Sequence, residues 1–190
     1  MKIFYDTEFI EDGRTIDLIS IGMVAEDGAE YYAVNADMPV DRIRNHTWLR
    51  ENVWAQLPVR GLKKNLVYTG NGPSRHEIKV TEPGHLDTDS TLIRPRQIIR
   101  NEVREFLLGF ADLELWAWYA AYDHVALAQL FGPMVNLPKG IPMWTNDLKQ
   151  EVQRLGNPRI PEQAEGEHNA LEDARHNKRV AEFLAGMAAQ

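Results

Sequence analysis

The chain has 190 residues, 44% of them hydrophobic, and carries a formal net charge of −7. That length favours one domain with a sizeable core, so residues 1–190 are expected to form a single domain. The chain has no cysteine, which excludes disulfides and thiolate metal ligands and leaves oxygen and imidazole as metal-binding groups. No apolar run is long enough to span a bilayer, and we expect a cytoplasmic protein without a membrane partner.

The charge is distributed unevenly along the chain. Residues 40–104 contain 12 Lys and Arg against 7 Asp and Glu, a net charge of +5, while the remainder is strongly acidic. The overall negative charge argues against a protein that coats nucleic acid by bulk attraction. An acidic body with a basic segment suits an enzyme that binds cations at one site and phosphates nearby, although an ordinary solvated surface gives the same composition.

Strand patterns open the chain. Segments 2–7, 16–25 and 30–35 are predicted strands, and Glu26-Asp27-Gly28 supplies a hairpin turn between the second and the third. The chain is therefore expected to begin with a three-stranded antiparallel meander.

A segment at about 40–94 has weaker patterns and is expected to be an insert within the domain. Helical spacing of apolar residues covers 41–54. A second hairpin is predicted to pair 64–69 with 76–80 across Gly70-Asn71-Gly72-Pro73.

The rest of the chain alternates helices and strands. The predicted elements, in chain order, are helix 95–110, strand 113–119, helix 123–131, strand 141–145, helix 147–155 and a last helix ending near Gly186. The strand at 113–119 has bulky residues on both faces, which predicts a central, buried position. Strands followed by alternating helices and strands predict an α/β fold, with a mixed sheet flanked by helices.

The first residues with chemical interest are Asp6 and Glu8, at the end of the first predicted strand. Residues i and i+2 of a strand point to the same face, so the two carboxylates are expected to lie side by side. Placing two carboxylates together is costly unless a cation compensates, and Mg²⁺ prefers oxygen ligands. Taken alone, the pair is also compatible with two solvent-exposed acids.

The second feature is His168 together with Asp173. Asn169, followed three residues later by Glu172, resembles a capping box that begins the last helix. Within one helix, a spacing of five residues would point the side chains of His168 and Asp173 apart. If Asn169 caps the helix, His168 lies on the preceding loop, and its ring can face a site to which Asp173 contributes. An imidazole can take a proton from water near neutral pH. A capped surface helix with an incidental histidine, as expected for His176, is the alternative.

The third feature is Asp123, which follows the predicted strand 113–119 and begins the next helix. Acidic residues are common in the first turn of a helix, so this signal is also weak alone. The order and spacing of the three features together favour one metal site.

The segment Phe4–Phe9, Asp123 after a central strand, and His168 with Asp173 resemble the DEDDh 3′-to-5′ exonuclease superfamily. The resemblance covers residues 1 to about 185, is weakest in the insert, and implies a ribonuclease-H-like fold with about five strands. Phe4–Phe9 and the segment Trp118–His124 most resemble the RNase AS group of actinobacterial, polyadenylate-specific exoribonucleases.

The resemblance implies that Asp6, Glu8, Asp123 and Asp173 hold two Mg²⁺ ions, for which Mn²⁺ is a possible substitute. His168 would act as general base on the attacking water beside the substrate, and the products would be nucleoside 5′-monophosphates.

The resemblance also implies contacts to the substrate. The backbone around Thr7 and Glu8 would meet the terminal 3′-hydroxyl, and Phe9 would wedge beside the last base. The superfamily often has His-Asn where this chain has Trp118 and Tyr119. The substrate preference of oligoribonuclease is therefore not carried over to this chain. These two aromatic rings could stack on a base or pack in the core.

The implied partner is the 3′ end of single-stranded RNA, with poly(A) as the preferred form, and a second copy of the chain in a homodimer. Arg94, Arg96 and Arg100 could guide the upstream strand. A 3′-to-5′ exonuclease acting on single-stranded DNA or on short oligoribonucleotides has the same motifs, because the 2′-hydroxyl is read by local contacts. A catalytically silent nucleic-acid-binding module would have lost an acid, and none is lost. An ordinary acidic α/β domain without a metal site is the remaining alternative.

Overall fold

A mixed sheet of six strands organises the chain in the computed structural model, which describes residues 1–68, 76–163 and 166–188. The strand order across this main sheet is β10-β9-β1-β2-β3-β8. Its strands are β1 (Lys2–Glu11), β2 (Ile16–Ala25), β3 (Glu30–Asn35), β8 (Ile93–Arg94), β9 (Glu114–Ala117) and β10 (Asn146–Asp147). The α/β prediction with a mixed sheet flanked by helices is confirmed, and the short β8 makes the sheet six strands wide instead of about five.

The first three strands form the predicted antiparallel meander. The turn between β2 and β3 is held by the Asp27 carboxylate, which accepts a hydrogen bond from the Ala29 amide at 3.0 Å. β9 pairs with β1 in parallel and has β10 on its other side, so it lies inside the sheet as expected.

Two strand boundaries differ from the sequence prediction. β9 stops at Ala117 instead of 119, and Tyr119 has a positive φ of 53°, which is incompatible with continued strand pairing. The strand predicted over 141–145 is wrong, because the paired residues are Asn146 and Asp147. The predicted segment contains Pro142, which has no N–H to donate to a neighbouring strand.

Helices cover both faces of the main sheet. They are α1 (Val40–Asn45), α2 (Thr47–Asn52), α3 (Arg96–Leu108), α4 (Ala121–Gln129), α5 (Leu148–Arg154) and α6 (Ala170–Ala188). Alternate residues of β1, including Ile3 and Tyr5, pack with α3 and α4 in the larger core cluster. α6 lies on the opposite face, where α5 packs against it through Val152, Val180 and Leu184. No helix among the described residues is both long and apolar enough to cross a lipid bilayer.

The insert divides where one helix was predicted over 41–54. Residue His46 has extended backbone angles and ends α1, and its ring accepts a hydrogen bond from the Leu49 amide at 3.2 Å, which caps α2. The residue at which the first helix ends therefore begins the second. A short 3-10 turn, Trp54–Gln56, follows.

The insert is tied to the main sheet by a second core cluster, in which Ile10, Ile19 and Val34 pack with Ile43 and Trp54. The Trp54 side chain is fully buried, and its Nε1 donates to the Pro83 carbonyl at 2.6 Å.

Short strands complete the insert. β4 (Val59–Arg60) pairs with β7 (His85–Leu86), and β5 (Lys63–Tyr68) pairs with β6 (His76–Glu82). The second of these pairings confirms the predicted hairpin, whose proposed turn Gly70-Asn71-Gly72-Pro73 lies outside the described residues.

Candidate active site

Asp6 and Glu8 lie two residues apart on β1 and face the side of the sheet that α6 covers. Glu8 is 9% exposed and Asp6 is half-buried. Asp6 pairs across the sheet with Gly22 of β2. A Cβ atom on Gly22 would lie only 2.3 Å from the Ala170 carbonyl oxygen, so the first turn of α6 rests directly on β2 beside Asp6.

The start of α6 brings His168 and Asp173 to the same place. The Asn169 side chain accepts hydrogen bonds from the amides of Leu171 at 3.1 Å and Glu172 at 3.3 Å, which confirms it as the N-cap. A capping box also requires the Glu172 side chain to accept from the Asn169 amide. Among the described residues that bond is absent, because the Asn169 amide donates to the Gly166 carbonyl and Glu172 pairs with Arg175.

His168 precedes the cap with a positive φ of 67°. In this conformation its backbone amide donates to the Asp173 carboxylate at 2.9 Å, so Asp173 reaches back past the cap. Candidate ligand atoms of Glu8, His168 and Asp173 all lie within 4.8 Å of one another. The loop position of His168 is what makes this convergence possible.

Asp123 enters from the other face of the sheet, in the first turn of α4, and is 5% exposed. One carboxylate oxygen accepts two hydrogen bonds from Thr7, at 2.9 Å from the amide and 2.6 Å from the hydroxyl. Thr7 thus fixes Asp123 against β1 between Asp6 and Glu8. The backbone around Thr7 and Glu8 was predicted to meet the terminal 3′-hydroxyl; the Thr7 amide donates to Asp123, and the substrate contact stays a prediction.

The four carboxyl groups perturb one another. The pKa of Asp6 is raised well above its ordinary value by burial, and further by the charges of Asp123, Glu8 and Asp173. Burial, followed by the charges of Asp173 and Asp123, raises the pKa of Glu8 to about 8. Such a cluster is unfavourable in its charged form unless cations enter it.

The pKa values of the other two acids, Asp123 and Asp173, are also raised. Burial raises the pKa of Asp123 to about 6, although the hydrogen bonds from Thr7 act in the opposite direction. Burial also raises the pKa of Asp173, against the lowering effect of a hydrogen bond from Gln163. Clustered oxygen ligands that repel one another fit a hard divalent cation.

A pocket of about 370 Å³ opens over these residues. Its lining consists of Asp6, Trp118, Ile160, Gln163, Glu167, His168, Asp173, His176 and Asn177. Gln163 donates to the second oxygen of Asp173 at 2.7 Å, and Asn177 donates to the Tyr5 carbonyl at 3.1 Å. His176, which was expected to be an incidental histidine, lies in this lining, and the expectation that it has no role stays a prediction.

The aromatic residues predicted to bind substrate occupy different positions. Trp118 lines the pocket, whereas Tyr119 is 61% exposed and lies outside that lining. Phe9 is half-buried and stacks in parallel on the exposed Tyr122, with ring centroids 5.7 Å apart. Their roles in binding stay predictions.

One aromatic neighbour of the site was missed by the sequence analysis. Trp48 of α2 packs edge-on against the ring of His168, with ring centroids 4.8 Å apart. It belongs to the insert, and no local pattern connects it with a histidine that follows 120 residues later in the sequence. The insert therefore forms one wall beside His168.

An α/β domain with four clustered acids and a histidine over an open pocket has the features of a metal-dependent hydrolase. Residues 86–185 match the 3′-5′ exoribonuclease Rv2179c-like domain family. Two similar proteins from Mycobacterium tuberculosis are the 3′-5′ exoribonuclease Rv2179c of strain H37Rv and the 3′-5′ exoribonuclease MT2234.1 of strain CDC 1551. Each is 44% identical over 181 residues, which is 94% of this chain and 90% of the relative. The chain belongs to the Rv2179c-like 3′-5′ exoribonuclease family.

The close approach at Gly22 gives a direct test of how the site is assembled. Gly22→Ala places a methyl group against the backbone of Ala170 and Leu171, so the start of α6 must move away from β2. We expect a loss of about 1–3 kcal/mol in the free energy of unfolding, as for other overpacked positions. Chemical denaturation of the variant measures this loss.

Gly186→Ala is the matched control, because a Cβ atom there meets nothing within 4 Å and the residue lies within α6. It should be neutral or stabilising by about 0.5–1 kcal/mol. Equal destabilisation by both variants would show that the approach of α6 to β2 is not what Gly22 permits.

Proposed function

We propose that this chain is a DEDDh-type 3′-to-5′ exoribonuclease that releases nucleoside 5′-monophosphates from the 3′ end of single-stranded RNA. The observation that carries the proposal is the convergence of Glu8, His168 and Asp173 within 4.8 Å, on a face that also carries Asp6. Both relatives are named as 3′-5′ exoribonucleases, which supports 3′-to-5′ cleavage of RNA.

The acid cluster fits a metal site in its chemistry. Asp6, Glu8, Asp123 and Asp173 would hold two Mg²⁺ ions, with Mn²⁺ as a possible substitute, because these carboxylates offer oxygen ligands and gain compensation for their repulsion. When bound, such ions would stabilise charge on the phosphate and make a water molecule more acidic.

His168 is the proposed general base. Imidazole is the side chain best suited to proton transfer near neutral pH, and His168 is held at one side of the acid cluster by its amide hydrogen bond to Asp173. Trp48 packs edge-on against the ring. The proton taken from the attacking water would reside on the His168 ring and then pass to solvent.

Recognition of the 3′ end is assigned to the aromatic residues near the cluster. Phe9 is held by stacking on Tyr122, which suits a wedge beside the terminal base, and Trp118 offers a ring inside the pocket. Stacking on aromatic rings is tolerant of base identity. Stacking therefore does not account for a preference for poly(A), and the resemblance to the RNase AS group is what supports that preference.

A homodimer in the cytoplasm is part of the same proposal. Several large apolar side chains are exposed around α4 and the segment before β10: Tyr119, Tyr122, Val125, Met134, Val135, Met143 and Trp144. Exposed apolar surface of this kind favours an interface with another protein. A second copy of the chain is the partner that the family resemblance favours.

Cleavage should depend on a divalent metal and begin at the 3′ end. We expect 5′-labelled poly(A) to shorten progressively with Mg²⁺, to shorten at a comparable or lower rate with Mn²⁺, and to stay intact with EDTA, because the acids cannot act without cations. Denaturing gels of poly(A), poly(U) and single-stranded DNA measure the rates and rank the substrates.

Excess Mg²⁺ added after EDTA is the control and should restore the ladder. Faster cleavage of DNA than of either RNA would favour the DNA exonuclease. Metal-independent binding of RNA without any cleavage would favour the silent binding module.

A further inference from the structure

A second polar pocket, of about 420 Å³, lies on the insert between its two helices and β6. Its lining consists of Asp41, Arg44, Asn45, Arg50, Val80, Thr81 and Pro83. Two guanidinium groups, one amide and one hydroxyl thus surround a single space, with Asp41 as the acidic member of the lining.

The two arginine side chains are half-buried and incompletely bonded. Arg50 Nη1 donates to the backbone carbonyl of Arg44 at 3.2 Å, which links α2 to α1. The Nε atoms of both side chains are buried and have no hydrogen-bond partner among the described residues. Glu51 lies 3.6 Å from Arg50 Nη2, beyond a hydrogen bond. Guanidinium groups bind anions through several hydrogen bonds at once, so a pocket lined by two of them favours an anion with several acceptor oxygens.

Other arginines nearby are differently placed. Arg60, also on the insert, is bonded to Asp87 at 2.8 Å and Asp89 at 2.9 Å. Arg96, which the sequence suggested as a guide for the upstream strand, donates to the Gln129 carbonyl at 2.6 Å. It begins α3, which packs on the opposite face of the sheet from α6.

The pocket is close in the chain to the proposed catalytic base. Trp48 and Arg50 lie two residues apart on α2, and Trp48 contacts His168. Side chains two residues apart on a helix point to different faces, so α2 presents Trp48 to the active site and Arg50 to the second pocket. A strand that leaves the active site across α2 would run toward the second pocket.

We propose that Arg44 and Arg50 form a phosphate-binding site for the RNA backbone upstream of the 3′ end, an inference that rests on the proposed function. Planar guanidinium groups bind phosphate oxygens through paired hydrogen bonds, and the Thr81 hydroxyl adds a further donor. Free phosphate presents the same chemistry, and the experiment separates the two sources.

The test compares a dinucleotide with a long oligoadenylate as substrates of the full-length protein with Mg²⁺. Arg44→Gln and Arg50→Gln should each raise KM for the long substrate roughly tenfold, as expected for one lost charged hydrogen bond. Neither should change kcat, or KM for the dinucleotide, whose single phosphodiester occupies the active site. The slope of log affinity against log salt for the long strand should fall by about 0.7 per variant.

Arg60→Gln is the control, since it removes the same charge from the insert but from a guanidinium already bonded to two carboxylates. It should leave KM for both substrates unchanged. Arg50→Gln also breaks the link to α1, so Arg44→Gln, which keeps that carbonyl acceptor, decides the result if the other variant unfolds. An equal rise in KM from Arg60→Gln, or an equal effect on both substrates, would overturn the site.

Two further measurements distinguish free phosphate from RNA as the ligand, and distinguish failure of this site from failure of the proposed function. If inorganic phosphate raises Tm of the wild type but not of Arg44→Gln, while KM for the long substrate is unchanged, the site takes free phosphate. If neither probe distinguishes Arg44→Gln from the wild type, the site does not exist. Binding of fluorescent oligoadenylate in EDTA, followed by anisotropy, tests the arginines even if the chain cleaves no RNA.

Discussion

Asp6→Asn should abolish RNA hydrolysis and, in EDTA, raise the melting temperature of the protein above that of the wild type. Burial, followed by the charges of three other acids, raises the pKa of Asp6 well above its ordinary value. Removing the charge relieves that repulsion in the metal-free protein, but it also removes a ligand that the proposed metal site requires. A loss of activity that accompanies a gain in stability is the signature of a functional acid cluster.

The effect on stability should depend on pH with a defined sign. The pKa of Glu8 is raised from 4.5 to about 8, so between these values the folded protein retains a proton that the unfolded chain has lost. Stability of the metal-free wild type should therefore fall as pH rises through this window. Asp6 is shifted in the same direction, so the advantage of Asp6→Asn over the wild type should be small at pH 5 and larger at pH 8.

Calorimetry in EDTA across this pH range, and again with Mg²⁺, measures both effects. Mg²⁺ should stabilise the wild type, because it binds only the folded state, and should stabilise Asp6→Asn much less. Glu11→Gln is the matched control, since Glu11 is an exposed acid at the end of the same strand. Metal-dependent cleavage at the wild-type rate by Asp6→Asn would remove Asp6 from the metal site.

His168→Asn should lower kcat by about 10²–10⁴-fold, the usual contribution of a general base, with little change in KM. Asn is chosen because residue 168 has a φ of 67°, which Asn adopts more readily than Ala. The backbone hydrogen bond from residue 168 to Asp173 does not involve the ring, so the start of α6 should be preserved. A loss of activity in this variant therefore reports the imidazole.

The pH–rate profile distinguishes a proton-transfer role from a structural one. The acid limb of the wild-type pH–rate profile should reflect the general base, and that limb should be absent in His168→Asn. His176→Asn is the control, because His176 lines the same pocket from within α6 and should retain activity within about tenfold. If the acid limb survived in His168→Asn and vanished in His176→Asn, the base would be His176.

Much of the fold follows from patterns a few residues long. Strand-like segments at 2–7, 16–25 and 30–35, with the turn at Glu26-Asp27-Gly28, predicted the meander, and a single cap at Asn169 predicted where α6 begins. The errors arose where one residue ended an element. His46 divides the helix predicted over 41–54, and the edge strand falls at Asn146 and Asp147, beyond Pro142.

For the candidate site, the sequence by itself determined that Asp6 and Glu8 share a face of β1 and that His168 precedes α6, because both follow from the period of a strand and the geometry of a cap. The division into one domain and the roles of the site residues stay predictions. The family resemblance named the same five residues but gave no account of what holds them together.

Only the tertiary structure decided how the site is held. Asp123 is fixed by Thr7, 116 residues earlier in the chain, and α6 reaches Asp6 because Gly22 leaves room for its backbone. The insert brings Trp48 to His168 and places Arg44 beside Arg50. Local periodicity reports which face a side chain occupies, whereas these contacts depend on sheet register and on the packing of distant elements, which no short stretch of sequence encodes.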